Sequence, residues 1–239
     1  MSEPTPVPAT VPRAPGALPA LSTAQMREVD RIMIDELGIT LVQMMENAGR
    51  NLADLAISRY QPASCTVLAG PGGNGGGGLV AARHLANRGV DVAVTLSAPG
   101  AMTEVPAHQL GILERMGVAI VDAPAPAVLV VDAVLGYSLE GDPRGRAAEL
   151  IAWANDAAAP VLALDTPSGL DLTSGRVGDP CVVADATLTL ALPKRGLAQA
   201  PEVVGALYAA DIAVPPAVST RLGVPVAAPF AAGTVLRLT

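Results

Sequence analysis

Short apolar runs recur along the chain, and segments with a helical pattern of apolar positions separate most of them. The runs cover residues 65–70, 90–97, 128–132, 161–165 and 184–192. Most show no two-residue period and are bounded by turn residues, which is typical of strands in a parallel sheet covered on both faces. The helical segments between them cover residues 79–88, 107–116 and 146–157.

Two further helices and a proline-rich segment precede the first strand. Ser22 and Gln25 have the spacing of a capping box, and apolar residues follow at helical intervals as far as the stop signal at Gly38. A second helix is predicted over 41–58. Prolines recur throughout residues 1–20 and disfavour both a helix and a central strand there. We therefore expect a disordered leader over 1–20 and a single domain over 21–239.

Strands that alternate with helices over short connections predict the α/β class. The expected architecture is a three-layer, doubly wound, Rossmann-like and mostly parallel sheet with helices on both faces. In such a sheet the carboxyl ends of the strands lie at one edge, and ligands bind beyond that edge. The residues that directly follow the apolar runs are therefore the candidates for chemistry.

Composition narrows the possible functions. The chain carries 15 Lys and Arg against 22 Asp and Glu, a formal net charge of −7. This argues against nucleic-acid and anionic-membrane binding, which need a basic surface. No apolar stretch reaches the roughly 18 residues of a membrane-spanning helix, and no signal peptide is recognisable, so we expect a cytoplasmic protein. The 2 cysteines lack metal-ligand spacing and predict neither a disulfide framework nor a zinc site.

A glycine-rich segment over 70–78 directly follows the first predicted strand. Its glycines allow positive φ angles and a close approach of the backbone to a ligand. Successive amide groups at the start of a helix also form a cradle for phosphate. The segment has neither the Gly-Lys-Ser/Thr of a P-loop nor the acidic residue of a dinucleotide fingerprint. A tight, flexible turn without a ligand is the alternative.

Oxygen-bearing side chains follow two other strands. Asp132 and Asp165 each end an apolar run, and Ser168 comes shortly after Asp165. Together with an Asn, such a set suits a weakly held alkali cation or Mg²⁺, and also a carboxylate that exchanges protons with a polar substrate. For Asp132 the alternative is a cap on a loop amide. Lys194 is interpreted as a solvated lysine or as a contact to phosphate.

Taken together, these segments resemble the NAD(P)H-hydrate epimerase family, whose domain is known as the YjeF N-terminal domain. Residues 70–85 are similar to its signature Gly-Pro-Gly-Asn-Asn-Gly-Gly-Asp-Gly-Leu-Val-Ala-Ala-Arg-His-Leu. Residues 130–142 and 164–171 match its second and third motifs, and the segments 45–50, 184–189 and 193–194 give further matches. The resemblance covers residues 20–215 and implies a stand-alone epimerase domain.

The resemblance implies a substrate, an ion and a set of site residues. The substrate is the hydrated cofactor NADHX or NADPHX, whose two epimers differ at the hydroxylated ring carbon beside the ring nitrogen. Potassium would be held by Asn74, Asp132 and Ser168. Asp165 is the candidate catalytic residue, a carboxylic acid that protonates the departing oxygen and then accepts a proton from the incoming water. A homodimer is also implied. The implied substrate contacts are Gly73, Asn74, Gly75, Gly76, Gly77, Gly136, Tyr137, Ser138, Leu139, Glu140, Gly141, Asp142 and Asp165.

Two positions depart from the family signature. Gly73 and Gly77 stand where the signature has Asn and Asp, so the segment lacks one amide and one carboxylate side chain. This departure leaves two other functions open. One is a catalytically silent module that binds a nucleotide or a protein. The other is an isomerase or cyclase of the same fold that acts on another substrate.

Overall fold

An eight-stranded sheet organises the computed structural model, which describes residues 11–239. Its strand order is β3-β2-β1-β4-β5-β6-β7-β8, and only the β7–β8 pair is antiparallel. The strands are β1 (Ser64–Ala69), β2 (Asp91–Leu96), β3 (Ala119–Ile120), β4 (Leu129–Ala133), β5 (Val161–Leu164), β6 (Ala186–Leu190), β7 (Ala206–Ala210) and β8 (Val235–Arg237). The predicted mostly parallel, Rossmann-like fold is confirmed.

Helices occupy most of the intervals between the strands. They are α1 (Thr23–Arg31), α2 (Leu41–Tyr60), α3 (Gly73–Ala86), α4 (Glu104–Met116), α5 (Gly145–Asp156), α6 (Pro201–Val204) and α7 (Pro216–Arg221). The predicted capping box of Ser22 and Gln25 begins α1, and a second one, formed by Thr40 and Gln43, begins α2. A π-helical turn over Ile32–Glu36 extends α1. None of the helices in the described residues is long and apolar enough to cross a membrane.

Both faces of the sheet are covered. Alternate residues of one strand enter two different apolar clusters: Val67 packs with α2, α3 and α4, whereas Leu68 packs with α5. The same alternation occurs in β4, where Val131 and Val130 face opposite sides. This is why the strands read as continuous apolar runs, since a strand buried on both sides has no polar face.

The glycine-rich segment differs from its prediction. The sequence predicts a turn over 70–78 with positive φ angles, but α3 begins at Gly73, and no glycine between 70 and 78 has a positive φ. Only 70–72 connects β1 to the helix. The glycines are needed because the helix lies close to its neighbours: a Cβ atom at Gly75 would lie 1.8 Å from the carbonyl oxygen of Gly70.

Three strands at the two edges of the sheet are not predicted from the sequence. Both β7 and β8 extend the sheet, and the very short β3 lies at its other edge. The expectation of disorder over 1–10 falls outside the described residues. Residues 11–20 are described, and residues 12–14 pair with β8: the amide of Ala14 donates to the carbonyl of Arg237 (3.0 Å), and the amide of Arg237 donates to the carbonyl of Pro12 (2.8 Å). This pairing gives the edge strand a partner.

Candidate active site

A cavity of about 500 Å³ opens at the carboxyl ends of the central strands. It lies beside β1 and β4, the point where the strand order reverses direction along the chain, and this is where open α/β sheets bind ligands. The start of α3, the loop after β4 and the residue after β5 form its polar wall. Its lining includes Asp30, Met44, Met45, Gly72, Gly73, Asn74, Gly75, Gly77, Leu135, Gly136, Tyr137, Ser138, Asp165 and Lys194.

The amino end of α3 faces this cavity. Its N-cap is Gly72, and no side chain caps it. The first amides of an α-helix have no acceptor within the helix and carry a partial positive charge. Because Gly72, Gly73, Asn74 and Gly75 line the cavity, these amides are available to an anionic ligand. The predicted phosphate cradle is therefore a helix start, and not a loop with positive φ angles.

Asn74, Asp132 and Ser168 belong to one hydrogen-bonded cluster beneath the cavity wall. The Ser168 hydroxyl donates to Asp132 Oδ1 (2.6 Å), and the Ser168 amide donates to Oδ2 (2.7 Å). Ser168 and Asn74 are both hydrogen-bonded to the backbone of Leu135. The Leu135 amide donates to Ser168 Oγ (2.8 Å), and the Leu135 carbonyl accepts from Asn74 Nδ2 (2.9 Å). The three residues predicted as cation ligands are thus linked to one another through Leu135.

Asp132 is a fully buried carboxyl group at the end of β4. Burial raises its pKa to about 6, although the hydrogen bonds from Ser168 and from the Val134 amide favour the carboxylate and lower it. Neither Asp132 nor Ser168 lines the cavity, whereas Asn74 does. Asn74 Oδ1 is buried and has no hydrogen-bond partner among the described residues. A cation there would find an unpaired amide oxygen in the same hydrogen-bonded cluster as a buried carboxyl group.

Asp165 follows β5 and lies on the cavity wall. Its φ is +64°, an uncommon conformation for a residue other than glycine that is concentrated at functional sites. The amide of Asp165 donates to the Leu188 carbonyl (2.7 Å), and the amide of Leu190 donates to Asp165 Oδ1 (3.1 Å). Strand β6 therefore fixes both the backbone and one carboxylate oxygen of Asp165.

Lys194 is neither solvated nor directed at a phosphate, so both interpretations from the sequence are wrong. Its side chain is 0% exposed, and its ammonium group forms an ion pair with Asp165 Oδ1. It also donates to the Leu190 carbonyl (2.7 Å) and to Thr189 Oγ1 (3.2 Å). A lysine can be buried in this way because its charge and all three of its donors are satisfied.

Asp30 is a cavity residue that the sequence analysis does not identify. It lies on α1 and accepts a hydrogen bond from the Tyr137 hydroxyl (2.5 Å). Burial raises the pKa of Asp30, and the Tyr137 hydrogen bond and the Lys194 charge oppose this effect. The sequence does contain one indication of this role. Asp30 lies one turn after the buried Met26, which places a carboxylate beside the apolar face of α1.

The predicted substrate loop reaches the cavity only through its first residues. Gly136, Tyr137 and Ser138 line it, whereas Leu139, Glu140, Gly141 and Asp142 do not. Asp142 forms an exposed ion pair with Arg176 (2.7 Å) instead. Among the predicted glycines of α3, Gly76 alone is outside the lining, because its position faces Met45 and Pro106.

The two departures from the family signature differ in their surroundings. The nearest atom to a Cβ at Gly73 would be Met45 Cε at 3.9 Å, so a side chain fits there. A Cβ at Gly77 would lie 2.7 Å from Leu164 Cδ2, so a side chain would have to displace that leucine. The local packing at Gly77 is therefore adapted to glycine.

The segments that form this cavity match a known protein family. A family model described as "YjeF-related protein N-terminus" matches residues 41–196. The chain belongs to this family. The matched region includes α3, the Asn74–Asp132–Ser168 cluster, Asp165 and Lys194, and thus most of the cavity's polar wall. The family membership expected from the motifs is confirmed.

Relatives of this YjeF-related chain carry epimerase names. It is 46% identical to an NAD(P)H-hydrate epimerase of Dehalogenimonas lykanthroporepellens, across 93% of this chain and 94% of the relative. It is 37% identical to a bifunctional NAD(P)H-hydrate repair enzyme of Salinibacter ruber but spans only 42% of that protein. The crystal structure of yeast ynu0 superposes with a TM-score of 0.81 at 24% identity, over 92% of this chain and all of the yeast chain, and supports the fold.

Proposed function

We propose that the protein is an NAD(P)H-hydrate epimerase that interconverts the R and S forms of NADHX and NADPHX. The observation that carries this proposal is Asp165, a buried carboxylate whose Oδ1 is fully engaged and whose residue lines the cavity. The 46% identity to a relative named for this activity supports the proposed substrate. Intact Asp132, Asp165 and Ser168 argue against a silent module.

The reaction inverts the configuration of a single carbon. The hydroxylated carbon beside the ring nitrogen carries both an oxygen and a nitrogen, so inversion requires one of these two bonds to break and re-form. A carboxylate positioned at that carbon can accept and return a proton. Such a group typically contributes about 10²- to 10⁴-fold to the rate.

We propose that the substrate phosphates bind at the start of α3. The first-turn amides there face the cavity and have no acceptor within the helix. An alanine at Gly73 would still leave this approach open, whereas one at Gly75 would collide with the backbone. The phosphate end of the substrate therefore meets main-chain donors and not side chains.

A potassium ion held by Asn74, Asp132 and Ser168 belongs to the same proposal. The unpaired Asn74 Oδ1 and the carboxylate and hydroxyl oxygens nearby fit a hard cation, which prefers oxygen ligands. When bound, the ion would supply positive charge that offsets the buried Asp132 carboxylate. The Leu135 backbone, which connects the three residues, holds the loop at the cavity wall.

Conversion of one purified epimer tests the function. NADHX enriched in one epimer, incubated with the protein, should reach the epimer mixture faster than in buffer alone, as followed by chromatography. Asp165→Asn should lower the initial rate at least 10²-fold. Because that change leaves the buried Lys194 unpaired, a second variant, Asp165→Asn with Lys194→Met, replaces the ion pair by two neutral groups. If either variant retains full activity, Asp165 is not the catalytic residue.

Two expectations from the sequence stay predictions. A homodimer should elute at twice the chain mass of 24.0 kDa in size-exclusion chromatography with light scattering. The cytoplasmic location is to be tested by fractionation of cells that produce the full chain.

A further inference from the structure

Lys194 is the buried ion-pair partner of Asp165, the proposed catalytic carboxylate. Its ammonium group donates to Asp165 Oδ1, Thr189 Oγ1 and the Leu190 carbonyl, so none of its protons is left for a substrate. The ammonium is fully buried within this set. Lys194 therefore acts on the substrate only through Asp165.

The two oxygens of Asp165 have different surroundings. Oδ1 accepts from Lys194, from the Leu190 amide (3.1 Å) and from Thr189 Oγ1 (3.4 Å). No such bond involves Oδ2 within the described residues, and Asp165 lines the cavity. Lys194 is thus the counter-charge on the Oδ1 side of the carboxyl group, and the one oxygen left to exchange a proton is Oδ2.

The other charged or titratable groups facing Asp165 come from different elements. Asp30 approaches from α1, and Tyr137 approaches from the loop after β4 and donates its hydroxyl proton to Asp30. Asp30 can add only negative charge near Asp165, so the Lys194 ammonium is the positive charge in contact with the Asp165 carboxyl group. The Tyr137 proton is engaged by Asp30 and not by Asp165.

We propose that Lys194 is a positioning residue that makes Asp165 enter the epimerisation as a base, so that the substrate ring opens at its carbon–nitrogen bond. This inference rests on the proposed function and selects one of the two bonds that epimerisation could break. A departing hydroxide would need a carboxylic acid at the start, which is the role that the sequence predicts for Asp165. A carboxylate instead removes the proton of the substrate hydroxyl.

The step balances without a further reactant. As Oδ2 takes the hydroxyl proton, the O–H electron pair forms the carbonyl of an aldehyde, and the carbon–nitrogen pair goes to the ring nitrogen. Asp165 then returns its proton to that nitrogen, which lies on the same carbon as the hydroxyl before cleavage. Rotation about the remaining ring bond of this carbon presents the other face of the aldehyde, and the reverse sequence closes the ring as the epimer.

The fate of the hydroxyl oxygen distinguishes the two bonds. NADHX labelled with ¹⁸O at the hydroxyl group is epimerised in unlabelled water, and the product is analysed by mass spectrometry at early times of a single turnover. Ring opening retains the label in the product epimer. Loss of hydroxide exchanges it for solvent oxygen in every conversion, and that result would overturn the inference while leaving the epimerase function intact. If the protein gives no acceleration over buffer, both proposals fail.

Lys194→Met tests the role of the ammonium in the same assay. Without the ammonium, Asp165 loses its counter-charge and the donor on Oδ1, so kcat/KM at pH 7 should fall about 10²-fold or more, and the acidic limb of the pH profile should move to higher pH. Lys194→Arg, which retains the charge, should keep the wild-type limb. An unshifted limb in a folded Lys194→Met protein contradicts the assignment. The labelling experiment on the unaltered protein decides the matter if this variant does not fold.

Discussion

Gly73 and Gly75 lie in the first turn of α3, yet a methyl group would meet different surroundings at the two positions. At Gly73 the nearest atom would be Met45 Cε at 3.9 Å, an ordinary contact distance. At Gly75 the nearest atom would be the Gly70 carbonyl oxygen at 1.8 Å, far inside contact distance. The added methyl group would therefore collide with the main chain and not with a movable side chain. Neither residue has a positive φ, so backbone strain does not distinguish them.

The two alanine substitutions should therefore change stability in opposite directions. Replacing a helical glycine by alanine contributes about 0.5–1 kcal/mol, because alanine loses less backbone freedom on folding. At Gly75 that gain is smaller than the cost of forcing the backbone apart, for which overpacking gives about 1–3 kcal/mol or more. In a chain of this length 1 kcal/mol corresponds to about 2–4 °C in Tm. Gly73→Ala should raise Tm by about 1–4 °C. Because the overlap at Gly75 is with main-chain atoms, the upper end of the overpacking range applies there; after the alanine gain is subtracted, the net loss is about 2–2.5 kcal/mol, so Gly75→Ala should lower Tm by about 4–10 °C.

Thermal unfolding followed by far-UV circular dichroism provides the measurement, with the unaltered chain as the reference in one buffer. The sign of each shift matters more than its size. Equal shifts for the two variants, or a Gly75→Ala protein as stable as the reference, would show that the segment is a freely adjusting turn. The packed-helix account of α3 would then be wrong, and with it the position of the amides that face the cavity.

Two further predictions concern other groups at the cavity. Potassium chloride should raise Tm relative to choline chloride at equal ionic strength, by up to about 2.7 kcal/mol of stability at 100 times the Kd. Asn74→Ala should abolish that rise, and a variant that keeps it places the ion elsewhere. Burial raises the pKa of Asp30 above its ordinary 3.8, so the folded protein binds more protons than the unfolded chain, and unfolding free energy falls as pH rises through this window. Asp30→Asn, which can still accept from Tyr137, should gain Tm relative to wild type between about pH 4 and pH 7; an equal difference at both pH values would contradict this.

The central part of the fold could be predicted from the sequence because its periodicity is local. The runs at 128–132 and 161–165 are apolar without interruption, and β4 and β5 lie within one residue of them. The short strands could not be found in this way. Two residues of β3 and three of β8 are too few to show a period, and β8 is defined by its antiparallel pairing with β7.

Two predictions at the site, a turn over 70–78 and a solvated Lys194, are wrong for the same physical reason. Local preference favours a turn for a run of glycines and a solvent-exposed position for a lysine. In the fold, the close approach of Gly75 to Gly70 makes glycine the only residue that fits at position 75 of α3. Asp165, 29 residues before Lys194 in the chain, gives the lysine a buried partner. Tertiary contacts reversed both preferences, and no pattern within a short window of sequence contains those contacts.

The charges of the cavity also determine how a dinucleotide must lie in it. Asp30 and Asp165 line the wall around Lys194, whereas the amide groups of α3 line the wall around Asn74. A phosphate beside a carboxylate would be repelled by about 4 kcal/mol at 4 Å in a medium of intermediate dielectric constant, so the proposed substrate would place its phosphates at the helix start and its hydrated ring at Asp165. Asp132 is the exception, because it is linked through Ser168 and the Leu135 backbone to Asn74, on the phosphate side. A cation held by these three residues removes that repulsion, so the proposed ion and the proposed substrate orientation depend on each other.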